Sequence, residues 1–153
     1  MSRVASLAAL LVLLAGVTPR IARAQAAADS AAIKQAALDY IEGYYEGNGE
    51  RMERALHPEL AKRIVRTNER GQSMFSNMSA LTLINGTKAG GGKDTPPAER
   101  RKDVTIFDIY QNAASAKIYA SGWVDYLHLA KWNGQWKIVN VLWELHPAAK
   151  KQS

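Results

Sequence analysis

The sequence contains no cysteine, which excludes disulfide bonds, thiol nucleophiles, thiolate metal ligands and a lipid anchor of the lipoprotein type. An oxidising compartment is compatible with this absence but is not required by it. The three histidines are scattered, without an Asp or Glu at ligand spacing, so we predict no metal site and no cofactor. A serine nucleophile elbow and a phosphate-binding glycine loop are also missing.

Long apolar runs are missing as well, except for residues 4–17, and this run is shorter than the roughly 20 residues of a membrane span. Arg3 precedes the run, and Ala22-Arg23-Ala24 follows it as a small-x-small cleavage site. The pattern predicts a signal peptide over residues 1–24, cleaved after Ala24, and a secreted or periplasmic protein without a stable membrane anchor. An uncleaved anchor is the alternative.

A strong charge of one sign is also lacking in the mature chain. The formal charge of +6 falls to +3 when the three arginines at positions 3, 20 and 23 leave with the signal peptide. A charge this small, spread over many sites, does not indicate a nucleic-acid partner. Residues 25–153 have the length of a single domain, with room for a core and one internal cavity.

Helical patterns occupy the first half of this domain. Asp29 or Ser30 can cap a helix that Gly47 ends, and its apolar positions have helical spacing. These positions are Ile33, Ala37, Tyr40, Ile41, Tyr44 and Tyr45. A short second helix precedes His57-Pro58, and Pro58 can start another turn that carries Leu60, Ile64 and Val65. Residues 74–84 are ambiguous, although Ser79 can cap a short helix over residues 80–84.

The pattern changes after a connection at residues 86–102, which three consecutive glycines and Pro96-Pro97 predict to be a flexible loop. Residues 104–111, 116–132 and 135–144 predict three antiparallel strands, with Asn112 in the first turn. Helices followed by strands indicate an α+β domain, in which helices pack on one face of a curved antiparallel sheet.

Asn133-Gly134 is the strongest local signal in the chain, because both residues of a tight hairpin turn need positive φ. The turn sets the register, and the register predicts which side chains share a face. One face then holds Trp123, Asp125, Leu127, Leu129 and Lys131 with Trp136, Ile138, Asn140, Leu142 and Glu144. The other face holds Val124, Tyr126, His128 and Ala130 with Lys137, Val139, Val141 and Trp143. A bulge near Gly122 would change the far end of this pairing.

Asp125 lies on the first face among apolar residues, where a carboxylate must be paired, hydrogen-bonded or neutral. One interpretation is structural: Asp125 bonds Tyr40, Tyr44 or a backbone amide and holds the sheet on the helix. The other is functional: the face lines a cavity whose polar groups hold a ligand, or Asp125 is a general base with a raised pKa. Aromatic side chains that can stack on a flat heterocycle are Tyr40, Tyr44, Trp123 and Trp136.

The second face is too apolar for open solvent, and one layer of helices covers only one side of a sheet. We therefore predict a homodimer with Tyr126, Val139, Val141 and Trp143 near its two-fold axis. The alternative is that residues 74–84 cover this face.

Four sequence blocks, at residues 37–47, 50–63, 125–131 and 134–143, are similar to the putative lumazine-binding family of the nuclear-transport-factor-2-like (SnoaL-like) superfamily. They read ALDYIEGYYEG, ERMERALHPELAKR, DYLHLAK and GQWKIVNVLW. The resemblance spans about residues 30–147. It implies a helix-lined cone closed by a strongly curved antiparallel sheet, frequent dimers and a cavity used for varied purposes.

Some members of the wider superfamily are isomerases, cyclases or dehydratases, and others only bind. Isomerase members use a cavity Asp as base and a Tyr as oxyanion donor, roles that Asp125 and Tyr44 can imitate, but no motif here matches the isomerase pattern. We therefore predict a protein that binds a small, partly apolar molecule through Tyr40, Tyr44, Trp123, Asp125, Trp136 and Asn140, without established catalysis. The alternatives are an isomerase or lyase with Asp125 as base, and a non-catalytic dimeric structural or interaction module.

Overall fold

A computed structural model of the chain describes residues 18–147, with side chains described from residue 23. Most of the predicted signal peptide, residues 1–17, lies outside the described residues. The chain divides into two compact units, Met1–Ala31 and Ala32–Ser153. In the first unit, the described residues are helical, and Gln25 donates a hydrogen bond to Asp29 one turn further on, at 3.1 Å. Within the described part of the chain, no helix has the length and apolar character needed to cross a membrane.

The described residues form three α-helices and one 3-10 helix, which agree in part with the sequence prediction. They are α1 (Thr18–Glu46), α2 (Gly49–Ala55), α3 (Ala80–Lys88) and a short 3-10 helix (Pro97–Glu99). α1 ends as predicted, and Gly47 follows it with a φ of 66°, but its described residues begin at Thr18, eleven residues before Asp29. Ser79 caps α3 as predicted, because its side chain accepts a hydrogen bond from the backbone N–H of Thr82.

Six strands form one mixed sheet. They are β1 (Leu56–Thr67), β2 (Ser73–Ser79), β3 (Lys102–Tyr110), β4 (Ala113–Ala120), β5 (Trp123–Trp132) and β6 (Gln135–Leu145). Their order across the sheet is β2-β1-β6-β5-β4-β3. Every neighbouring pair is antiparallel except β1 with β6, which are parallel. The α+β prediction is confirmed; the sheet has six strands, one neighbouring pair of which is parallel, where the sequence predicts three antiparallel strands.

Three corrections account for the three extra strands. The turn of helix predicted after Pro58 is instead β1, and the ambiguous segment before Ser79 is β2. Residues 116–132 are two strands rather than one, because the chain turns at Ser121-Gly122 between β4 and β5. The first two errors arise because the apolar spacing of a short segment is compatible with either a helix or a strand.

The predicted hairpin turn is confirmed, since Asn133 and Gly134 have φ values of 49° and 77°. The predicted pairing holds from Trp132 with Gln135 up to Leu129 with Ile138. Val139 then bulges, so that His128 pairs with Asn140 instead of Val139. Because side chains alternate along a strand, this single extra residue reverses the facing of everything after it on β6.

The core lies between the inner face of the sheet and the helices. α1 contributes Ile33, Ala37 and Ile41, all fully buried, and the sheet contributes Ile118, Leu127, Leu129, Ile138 and Val141. The bulge places Val141 in this core, fully buried, and Trp143 against it. Both residues are therefore on the opposite face from the one predicted, and neither belongs to the exposed face proposed for a dimer.

Candidate functional site

A pocket of about 340 Å³ opens beside the core of the larger unit, between helices α1 and α3 and the inner face of the sheet. Its wall is mainly aromatic and aliphatic, with two basic side chains. The lining residues are Tyr40, Ile41, Tyr44, Met52, Lys62, Arg66, Ser76, Met78, Leu83, Trp123 and Trp143. This volume lies at the lower end of the range of about 300–1,000 Å³ that ligand pockets occupy.

Secondary-structure periodicity brings these side chains together. Tyr40 and Tyr44 are one helical turn apart on α1 and so share a face. On β1 the inward positions are every second residue, including Lys62 and Arg66. The register of β1 with β2 pairs Lys62 with Met78, which sets both side chains on the same face of the sheet.

A cluster of four hydrogen-bonded side chains closes the inner end of the pocket. Lys62 Nζ lies 2.6 Å from Asp125 Oδ1 and donates to the Tyr40 hydroxyl, also at 2.6 Å. The Tyr40 hydroxyl donates to Asp125 Oδ2 at 3.2 Å, and Trp123 Nε1 donates to the same oxygen at 2.7 Å. Asp125 is fully buried and Lys62 is 4% exposed. The carboxylate, the ammonium group, the hydroxyl and the indole N–H would each be costly to bury alone, and here each is hydrogen-bonded to another member of the cluster.

The two tyrosines of the pocket wall both have raised pKa values. Burial, followed by the nearby Asp125 carboxylate, raises the pKa of Tyr40 well above its ordinary value of 10.0. The hydroxyl of Tyr40 therefore keeps its proton and can donate to Asp125 while it accepts from Lys62. Burial also raises the pKa of Tyr44, with further contributions from Tyr45 and Asp125.

The hydrogen bonds of Asp125 bear on its two predicted roles. A general base must present a free carboxylate oxygen to the substrate. Here Lys62, Tyr40 and Trp123 line the pocket and bond both oxygens, and Asp125 itself contributes no surface to the wall. The geometry therefore favours the structural interpretation, in which Asp125 holds the sheet on α1.

Aromatic rings and one unsatisfied donor form another part of the wall. Tyr44 meets Trp123 edge to face, with ring centroids 5.5 Å apart. Lys62 Nζ lies 4.7 Å from the centre of the Trp143 ring, at cation–π distance. The indole nitrogen of Trp143 is buried and has no hydrogen-bond partner among residues 18–147. An unsatisfied buried donor costs about 1–3 kcal/mol, which an acceptor on a ligand would recover.

Glycine is required where the predicted flexible loop passes Tyr44. Gly92 is buried, and a Cβ added to it would lie 2.5 Å from both Cδ1 and the carbonyl oxygen of Tyr44. No side chain fits at that distance. The glycine run, which the sequence indicates only as a linker, thus packs directly on a tyrosine of the pocket wall.

The structure brings half of the predicted site residues to the pocket. Tyr40, Tyr44 and Trp123 line it, and Asp125 lies directly behind them. Trp136 lies in the core instead, 5% exposed. The bulge at Val139 moves Asn140 to the outer face, where it accepts a hydrogen bond from Arg63 at 3.1 Å and contacts His128. Asn140 therefore has no place in the pocket.

Sequence reasoning missed the basic residues and much of the far wall. Lys62 and Arg66 were hidden because β1 was interpreted as a helical turn, although Leu60, Lys62 and Ile64 alternate as a strand's buried row does. Trp143 was assigned to the wrong face by the unpredicted bulge. Ser76, Met78 and Leu83 lie in the segment that the sequence left ambiguous. In the part of the chain that the structure describes, no group of three potential metal ligands lies together.

Comparisons with known proteins agree on family and fold. The family model described as putative lumazine-binding matches residues 28–144. A nuclear-transport-factor-2-like protein of unknown function from Shewanella baltica OS155 is 20% identical, with a TM-score of 0.59, covering 79% of this chain and 96% of that chain. One with a cystatin-like fold from Novosphingobium aromaticivorans is 12% identical, with a TM-score of 0.64 and coverage of 88% and 95%. These identities show the fold alone. No curated protein sequence gives a significant match.

The buried cluster makes a testable prediction about stability. Lys62→Met leaves the Asp125 carboxylate buried without its cation, so we expect the free energy of unfolding to fall by about 3–5 kcal/mol. In the double variant Lys62→Met with Asp125→Asn, the loss should be smaller than the sum of the two single losses. Urea unfolding of the four proteins measures both quantities.

Lys102→Met is the matched control, because Lys102 also pairs with a carboxylate, that of Glu42, but is 53% exposed. Its loss should be about 0–1 kcal/mol. Equal losses for Lys62→Met and Lys102→Met, or strict additivity in the double variant, would contradict the role assigned to the buried cluster.

Proposed function

The chain belongs to the putative lumazine-binding family and has the nuclear-transport-factor-2-like fold, and from this premise we propose that it binds a small, partly apolar molecule in the pocket described above, without catalysis. The observation that carries the proposal is the pocket itself: about 340 Å³, walled by Tyr44, Trp123 and Trp143 and fixed at its inner end by the Asp125 cluster. A wall held by hydrogen bonds is already ordered before a ligand arrives, which lowers the entropic cost of binding.

Two contacts support a ligand that is flat and carries acceptors. Tyr44 and Trp123 both line the pocket and pack edge to face against each other, and aromatic walls of this kind favour a planar, aromatic body. The partnerless indole N–H of Trp143 favours a carbonyl or ring nitrogen on the occupant. Lumazine, the heterocycle in the family's name, has both properties and is the natural probe.

Neither alternative function has comparable support. An isomerase or lyase needs Asp125 as a base, and both of its oxygens are bonded to residues of the pocket wall. A purely structural or interaction module would have no use for an aromatic pocket with basic side chains. Binding therefore accounts for more of the geometry than either alternative.

Variants on β2 test the pocket. Ser76 lines it, whereas its neighbour Asn77 is exposed on the other face of the strand. Ser76→Trp should fill the pocket and weaken lumazine binding by about tenfold or more. Asn77→Trp should keep the dissociation constant for lumazine within about twofold of the wild-type value. Quenching of tryptophan fluorescence by added lumazine measures the affinity.

Native mass spectrometry of the protein purified from its native source complements this test. We expect a discrete extra mass on the wild type and on Asn77→Trp, and none on Ser76→Trp. A wild-type protein that carries no extra mass and shows no saturable response to lumazine would overturn the proposed function.

We further propose that the protein is a homodimer that pairs through the outer face of its sheet. The outer apolar patch consists of side chains between 45% and 62% exposed, namely Val65, Phe75, Phe107, Tyr126 and Leu142. Within the patch, Tyr126 pairs with Leu142 and stacks on Phe107, with ring centroids 6.5 Å apart, and Val65 pairs with Phe75 on the neighbouring strands. Exposed apolar side chains grouped in this way are typical of an interaction surface.

The charges around this patch favour a second copy as the partner. A two-fold interface joins the same surface of both subunits, so it must be complementary to itself. Basic Arg63 and Lys117 lie on the outer face together with acidic Asp108 and Glu144. One copy therefore offers both signs of charge to another. Of the residues first predicted for this interface, Tyr126 is in the patch and Val139 is the half-buried bulge residue.

Charge placed in the patch tests the dimer. Leu142→Asp should convert the dimer to a monomer at micromolar concentration, because each subunit would then bury an unpaired carboxylate in the interface. Leu81→Asp is the control, since Leu81 is 66% exposed but lies on α3, outside the outer apolar patch. Sedimentation velocity measures the mass. A wild-type monomer at these concentrations, or a dimer that survives Leu142→Asp, would exclude this interface.

We also propose that residues 1–24 are a signal peptide removed on export. The support is the sequence pattern of Arg3, the apolar run and the cleavage site ending at Ala24. The intact mass of the protein recovered from the extracytoplasmic fraction should correspond to a chain that begins at Gln25. A mass that retains Met1, found in the cytosolic fraction, would refute export.

A further inference from the structure

The pocket wall is electrostatically one-sided. Two of its lining residues, Lys62 and Arg66, are basic, and none is acidic. Lys62 is neutralised from behind by the fully buried Asp125, 2.6 Å away. The net charge that an occupant meets is therefore that of one group, the Arg66 guanidinium.

Arg66 lies at the solvent end of the pocket. Along the inner face of β1 the exposed fractions are 4% for Leu60, 4% for Lys62 and 2% for Ile64, and the next inward residue, Arg66, is exposed. At about 3.3 Å per residue, its Cα lies roughly 13 Å from that of Lys62. Among residues 18–147, no carboxylate lies within ion-pair distance of Arg66, in contrast to Arg51 and Arg101.

From this placement we infer that the ligand of the pocket is an organic monocarboxylate, with an apolar, ring-sized body between Trp123 and Trp143 and its carboxylate on Arg66 at the mouth. This inference rests on the proposed function and names the class of molecule bound. The planar fork of a guanidinium matches the two oxygens of a carboxylate. A single negative charge balances the single uncompensated positive charge. A phosphate monoester, with about 1.5 to 2 negative charges near neutral pH, overcompensates it.

The burial of the two ends fixes the orientation of the ligand. The inner end is closed by groups whose polar atoms already bond each other, so an anion there would lie against the bonded Asp125 carboxylate. The mouth, by contrast, offers an unpaired cation and water. The apolar body therefore enters first, and the carboxylate stays beside solvent, where its desolvation cost is smallest.

Two isosteric probes separate charge from shape. The probes are 2-naphthoate and its neutral amide, 2-naphthamide, and tryptophan fluorescence quenching gives both dissociation constants. The wild-type protein should bind the naphthoate at least about fivefold more tightly than the amide, a difference of roughly 1 kcal/mol. Arg66→Gln should abolish this preference, so that the two probes bind with equal affinity.

Arg63→Gln is the matched control, because Arg63 has the same charge on the same strand but lies on the outer face. It should keep the full preference for the naphthoate. Equal affinities of the two probes in the wild type, or an equal loss of preference in Arg63→Gln, would overturn the carboxylate inference and leave binding itself intact. If neither probe, nor lumazine, binds at all, the proposed function fails together with the inference.

Discussion

The structure of the pocket depends on one buried ion pair, Lys62 with Asp125. The two residues are on strands separated by β6, two strand spacings or about 9.6 Å apart in a flat sheet. Their contact at 2.6 Å therefore requires the Lys62 side chain to extend over β6, where it lies against the ring of Trp143. Because Tyr40 bonds both members of the pair, the same contact also attaches α1 to the sheet. Helix, sheet and pocket wall share one set of hydrogen bonds.

A second constraint is the bulge at Val139, which decides which residues of β6 reach the pocket. With a regular hairpin, Asn140 and Leu142 would face inward, and Val141 and Trp143 outward. The extra residue exchanges these two sets, so that Val141 fills the core and Trp143 forms the far wall. Lys62 then meets an aromatic face rather than an aliphatic one. The bulge therefore supplies the cation–π contact that helps to hold the lysine over the strand.

How much the sequence could predict depended on how local each signal was. The Asn133-Gly134 turn, the Ser79 cap and the end of α1 are set by residues within a few positions, and all three were predicted correctly. The bulge has no glycine or other local marker at Val139, so nothing in the neighbouring sequence indicates it. β1 was mistaken for a helical turn because the spacing of Leu60, Ile64 and Val65 after Pro58 also fits a helix. The partner that explains a buried Lys62, Asp125, is far away in sequence. Three of the six predicted ligand contacts therefore line the pocket, while both basic residues of the wall were missed.

The buried pair also explains why the pocket can be selective for charge. Replacement of a buried ion pair by apolar residues of similar volume is often neutral or stabilising, so stability alone gives little reason for a lysine at position 62. The pair does something that apolar residues would not: it orients the Tyr40 hydroxyl and the Trp123 indole while it presents no net charge to the pocket. With the inner end neutral and rigid, the only uncompensated charge of the wall is Arg66 at the mouth. The same residues that attach the sheet to the helix thereby leave the recognition of an anion to a single exposed side chain.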